Sequence, residues 1–85
     1  MTLTLRELTE AWMQGLVIPW QDANGLHRLG IPVAVDLAPG EVNVRFEIWR
    51  QESRSLSVRF RLVPTSRFDK VRQEFAVDLE PMPCN

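Results

Sequence analysis

The chain carries one cysteine, one lysine and one histidine in 85 residues, and each shortage closes off a class of protein. With Cys84 alone there is no second thiol for an internal disulfide, so the fold is not a stapled secreted scaffold, and a reducing, cytoplasmic setting suits it. Cys84 is also second from the end, where the prenylation pattern needs a cysteine fourth from the end. His27 has no second histidine and no cysteine at ligand spacing, which is too little for a zinc site within one chain. No stretch approaches the ~18 apolar residues of a membrane span. The first residues show no basic region followed by a long apolar run, so no leader peptide is read either. The four glycines are dispersed and build no phosphate-cradling loop. Serines fall in turns and on strand faces without a nucleophile-elbow spacing. Carboxylates such as Asp36, Glu47, Asp69 and Asp78 stand singly, so no pair is nominated for acid–base work. Together these gaps predict a non-enzymatic protein without cofactor or metal.

What is present reads as one small globular domain, residues 1–85. The apolar content of 45% is too high for a disordered chain, and 25% charged residues is ordinary. A chain of this size buries roughly 60–65% of its unfolded surface, so the core is thin. Net charge is -1, which gives no global pull toward nucleic acid or an acidic membrane.

The pattern predicts an α+β fold, with an N-terminal helix or two short helices packed on one face of a mostly antiparallel four-stranded sheet. Helical structure is expected over 4–29, sheet over 31–80 and an extended tail over 81–85. Thr4 and Glu7 have capping-box spacing, Leu5, Leu8 and Trp12 recur on one helical face, and Gly15 is a natural stop, so a first helix is read from about Leu5 to Gln14. Between Leu16 and Gly30 two readings compete. Pro19 opens a second helix, with Trp20, Ala23, Leu26 and Leu29 every third residue. Alternatively Asn24-Gly25 turns a hairpin of Leu16–Trp20 against Leu26–Leu29. The helix is the reading taken.

From Ile31 the period becomes two. Val33, Val35 and Leu37 share a face, then Val42, Val44, Phe46 and Ile48, then Leu56, Val58, Phe60 and Leu62, with polar residues between. A turn at Pro39-Gly40 pairs Leu37 with Val42, Val35 with Val44 and Val33 with Phe46. The next hairpin is expected to pair Ile48 with Val58, set Glu47 opposite Arg59 and Arg45 opposite Arg61, and leave Gln51–Ser55 as the loop. Its rival pairs Ile48 with Leu56 and sets Arg45 opposite Arg59. A helical turn is expected at Ser66–Arg72, then a fourth strand through Phe75, Val77 and Leu79, ended by Pro81 and Pro83.

Candidate binding residues follow from this layout. Trp12 is assigned to the core, and Trp20 to either packing or protrusion. Trp49 stands in line with Asn43, Arg45 and Glu47 on the polar sheet face, where a large aromatic needs a second layer or a partner. Tryptophan and arginine are the residues most enriched at interface hot spots. Residues 45–72 carry net charge +5 and the remainder -6, counting eight bases and three acids in the first part and two and eight in the second. The partner-binding set read from this is Trp49, Arg45, Arg59, Arg61 and Arg54. Alternatively, acids of the last strand neutralise the arginines within the sheet. The expected role is a protein–protein interaction module or homo-oligomer subunit, binding through the Trp/Arg face or a sheet edge. A nucleic-acid-binding or nucleic-acid-mimicking accessory protein is the second reading, although lysine is nearly absent. A small enzyme with a site assembled across subunits is the third.

Overall fold

A computed structural model, describing residues 2–51 and 53–83, begins with helix α1 (Leu5–Gln14) and continues as five antiparallel strands. These are β1 (Ile18–Gln21), β2 (His27–Ala38), β3 (Glu41–Ile48), β4 (Ser55–Asp69) and β5 (Glu74–Pro81), hydrogen-bonded in sequence order as a meander. The class is the expected α+β, but the strand count is five and not four. Helix ends at Gln14, not 29, and sheet begins at Ile18, not 31. Pro81 belongs to β5, while Cys84 and the end of the expected tail lie outside the described residues.

The helix forms for the reasons its sequence suggests. Thr4 Oγ1 accepts the Glu7 N–H, the Glu7 carboxylate accepts the Thr4 N–H, and Gly15 closes the other end at φ 66°. Its buried positions are Leu8 and Ala11, with Leu5 packed beside them. Trp12 is 44% exposed, which corrects its assignment to the core: a small alanine, not the indole, faces the sheet here.

The expected second helix is instead the β1–β2 hairpin. Asp22 decides the matter. Its carboxylate accepts the N–H groups of Asn24 and Leu26 and the Arg28 guanidinium, while Gly25 turns the chain at φ 83°. Partial burial opposes ionisation of this carboxyl. The backbone N–H of Leu26, the Arg28 side chain and the N–H of Asn24 outweigh it and hold the pKa below the usual aspartate value. A helix would forgo this turn and would also leave Trp20 without its seat. In the hairpin Trp20 is buried and stacks on Phe46, with ring centroids 3.8 Å apart and planes 7° from parallel.

The β2–β3 register follows expectation at Leu37–Val42 and Val35–Val44, then departs from it. Pro32, not Val33, pairs with Phe46, and Val33 and Ala34 together stand opposite Arg45 in a β-bulge. The β3–β4 register matches neither expected alternative. Phe46 pairs with Leu56, Val44 with Val58 and Val42 with Phe60. Both expected registers set Arg45 against another arginine. The observed one sets it against Ser57, and sets Arg59 against Asn43 and Arg61 against Glu41. At its end the Ile48 N–H donates to Arg54 O, and Arg50 adopts φ 64°.

No helical turn forms over Ser66–Arg72. β4 runs on to Asp69 through a bulge between Pro64 and Phe68, where the Thr65 hydroxyl donates to Ala76 O. Asp69 then caps the following turn by accepting the N–H groups of Val71 and Arg72. Asp69 thus caps the turn that follows the strand, and no helix starts at Ser66.

Leu8, Trp20, Val42, Val44, Phe46, Val58, Phe60 and Leu79 form one core on the inner face of the sheet. Burying each large side chain contributes roughly 1.5–3 kcal/mol. The sheet curls toward a barrel: α1 contacts both β2 and β5, and Thr4 bridges Asp78 while the Leu79 N–H donates to Leu3 O. Arg6 binds Glu74 through two hydrogen bonds of 2.8 and 2.9 Å, and Arg72 binds Glu10 and Asp69, so α1 is tied to the β4–β5 turn. The Arg6 hydrogen bond holds the Glu74 pKa below the usual glutamate value.

Candidate functional site

Bulges re-aim side chains, and this one changes the outer surface of the sheet. Alternation alone would put Val33 inside with Val35 and Leu37. The extra residue turns it outward, in line with Leu29 and Ile31 along β2. The outer face of β2 therefore carries an apolar stripe, Leu29–Ile31–Val33, with Leu29 48% and Val33 40% exposed. This corrects the expectation of a wholly polar outer face.

Trp49 extends the stripe sideways. It is the first residue past β3, and its N–H donates to Leu29 O, so it continues the β2–β3 ladder opposite Leu29. Pro19 of β1 pairs with Leu29 on the other side. Pro19, Leu29 and Trp49 thus form a row across three strands, and with Ile48, His27 and Arg28 they line an open groove. Trp49 is 45% exposed, with the Arg50 guanidinium 5.8 Å from its ring centroid.

The predicted arginines do not act as one patch. Arg45, Arg59 and Arg61 do share the outer face of β3 and β4. Arg59 lies 3.7 Å from Glu41 and Arg61 2.7 Å from Glu80, and Arg67 is held by Asp78. Glu41 of β3 and Glu80 of β5 thus offset the charge of two of these arginines within the sheet. Arg45 makes no ion pair among the described residues, and Arg54, in the β3–β4 loop, reaches Gln51 Oε1 at 3.5 Å.

The sheet edges are poorly suited to strand addition. β1 is four residues long and contains Pro19, which lacks a donor. Beyond Gly30, β2 has no strand on its β1 side, but that stretch holds Pro32 and the bulge. β5 is bridged by the Leu3–Thr4 segment, and the upper part of β4 is bulged. Short length, proline and bulges are the usual devices that keep edges from pairing.

Sequence reasoning missed Leu29, Ile31, Val33 and Pro19 as surface residues. Phe68, Val71 and Phe75, which the sequence spaces as one helical face, instead meet at the β4–β5 end, where Phe68 and Phe75 pair across the strands edge-to-face at 5.1 Å and Val71 is exposed in the turn between them. In sequence Leu29, Ile31 and Val33 share the parity of Val35 and Leu37, so alternation gave no sign that they face outward, and Pro32 inside the run was the available signal of an irregular strand. Among the described residues no three His, Cys, Asp or Glu side chains gather as metal ligands, and no helix is long and apolar enough to cross a membrane.

No family model matches the chain, and no match to it is found among curated proteins or solved structures.

Proposed function

We propose that this protein is a non-enzymatic protein–protein interaction module that binds through the outer face of its sheet, with the Leu29–Ile31–Val33 stripe and Trp49 as the contact. The carrying observation is the bulge, which uses an extra residue in β2 to turn Val33 into solvent in line with Ile31 and with Leu29, the residue opposite Trp49. A contiguous apolar surface with a tryptophan at its margin fits a partner, since scattered single exposures need no explanation but clustered ones do. The blunted edges support face binding over strand addition. A reducing, cytoplasmic setting suits the lone cysteine. The nucleic-acid reading is weaker here, because internal ion pairs break up the positive field that phosphates require.

The test is quantitative capture from the native cell with tagged wild-type chain, Trp49→Asp and Val33→Asp. Both positions are exposed, so each variant is expected to keep the wild-type circular dichroism spectrum. Each is expected to lower partner recovery by about tenfold or more, the scale of a hot-spot loss. Unchanged recovery with both variants would overturn the reading.

A further inference from the structure

Arginine and acid on the outer face mostly settle with each other, as Arg59 does with Glu41, Arg61 with Glu80 and Arg67 with Asp78. Arg45, Glu47 and Asp36 stand apart. Arg45 and Glu47 occupy successive outer positions of β3, Asp36 lies opposite Asn43 in the next row, and none of the three makes an ion pair among the described residues. Arg45 lies opposite the bulged Val33 and Ala34, and Glu47 opposite Ile31. One positive and one negative side chain therefore flank neighbouring rungs of the apolar stripe.

We infer that the occupant of this surface is a second copy of the chain, related by a two-fold axis that lies between the facing sheets and crosses their strands. Resting on the protein-binding reading above, this names the partner. A two-fold interface must be self-complementary, so each group meets the group that its own partner position supplies. An axis passing between the Ile31–Glu47 row and the Val33–Arg45 row exchanges those rows. Arg45 then faces Glu47 of the partner subunit, Glu47 faces the partner's Arg45, and Ile31 packs on the partner's Val33. Sheets packed face to face in this way stand about 10 Å apart, close enough for side chains of both to interdigitate. A partner of unrelated sequence would gain from the stripe, but it gives no reason for adjacent opposite charges left open beside it. At the ends of the contact Trp49 lies over the partner's Asn43 and Leu29 over the partner's Asp36, so this row is the polar rim and the apolar centre is Ile31 with Val33.

The experiment is sedimentation equilibrium from ~1 µM to ~1 mM at low ionic strength, where charge pairing is least screened. It compares wild type, Arg45→Glu, Glu47→Arg and the double exchange. Wild type is expected to form dimers with rising concentration. Each single reversal sets like charges against each other twice and is expected to weaken the dimer about tenfold or more. The double exchange restores both pairs and is expected to return the affinity to within about threefold of wild type. A chain that stays monomeric throughout overturns the inference, as do single reversals without effect or a double exchange as weak as the singles. A monomer that still captures a different protein in a Trp49-dependent way removes the second copy and leaves the binding surface standing. A monomer whose capture ignores Trp49 removes both.

Discussion

Trp20→Ala is expected to cost about 3–5 kcal/mol, among the largest losses from any single truncation in this chain. The indole is 3% exposed and lies flat on Phe46, which in turn meets Phe60 edge-to-face, so one ring begins an aromatic row through the centre of the core. Truncation removes apolar area and leaves a cavity that a curled sheet cannot readily collapse. Total stability of small domains is only about 5–15 kcal/mol, so this one change consumes much of it. Trp20→Phe separates packing from polarity. The indole N–H is buried without a hydrogen-bond partner in the protein, an arrangement that itself costs stability. Phenylalanine removes that N–H while keeping an aromatic face, so its loss is expected to be well under half that of alanine. Urea unfolding followed by circular dichroism measures both. A loss below about 1 kcal/mol for alanine would mean that the stack contributes little.

Gly30→Ala is expected to destabilise by about 1–3 kcal/mol, although it adds a single methyl group. A Cβ built at Gly30 would lie 2.7 Å from the Glu47 carbonyl oxygen and 2.9 Å from Cζ3 of Trp20. The backbone oxygen cannot rotate away, so the β2–β3 ladder or the indole must shift. Glycine is needed here for close approach and not for a positive φ, since the Trp20 ring passes over β2 at this point to reach Phe46 on β3. The two sites share a contact, so their effects should not add. The combined Gly30→Ala/Trp20→Ala variant is expected to lose less than the sum of the two single losses. Strict additivity would show that the two positions act separately.

Much of this architecture was legible from residue pattern. The capping box at Thr4 and Glu7, the stop at Gly15 and the alternation through Val42–Ile48 and Leu56–Leu62 each mark an element with one physical meaning. The errors arose where two signals overlapped. At Asp22–Gly25 a threefold apolar spacing competed with a turn, and side-chain hydrogen bonds from Asp22 decided for the turn. At Ser66–Arg72 the expected helical turn gave way to a continued strand, and Asp69 capped the turn after it. At Val33 the alternation was unbroken in sequence, but Pro32 and the bulge reversed its parity. That last case hid the outer apolar stripe. Trp49 was singled out because an aromatic among polar neighbours is conspicuous, whereas Leu29, Ile31 and Val33 looked like ordinary core. Arg59 and Arg61 were selected for their charge, and only three-dimensional pairing revealed how much of it is offset.

Thiol labelling at two neighbouring positions tests the origin of the surface most directly. In a Cys84→Ser background, Val33→Cys and Val35→Cys are each treated with a maleimide at a concentration low enough to keep chains apart. If the bulge turns residue 33 outward while residue 35 stays against the core, the first variant reacts close to the rate of an exposed thiol and the second at least about tenfold more slowly. Equal protection at the two positions, or faster labelling at 35, would contradict the account, because the outer apolar stripe would then not exist.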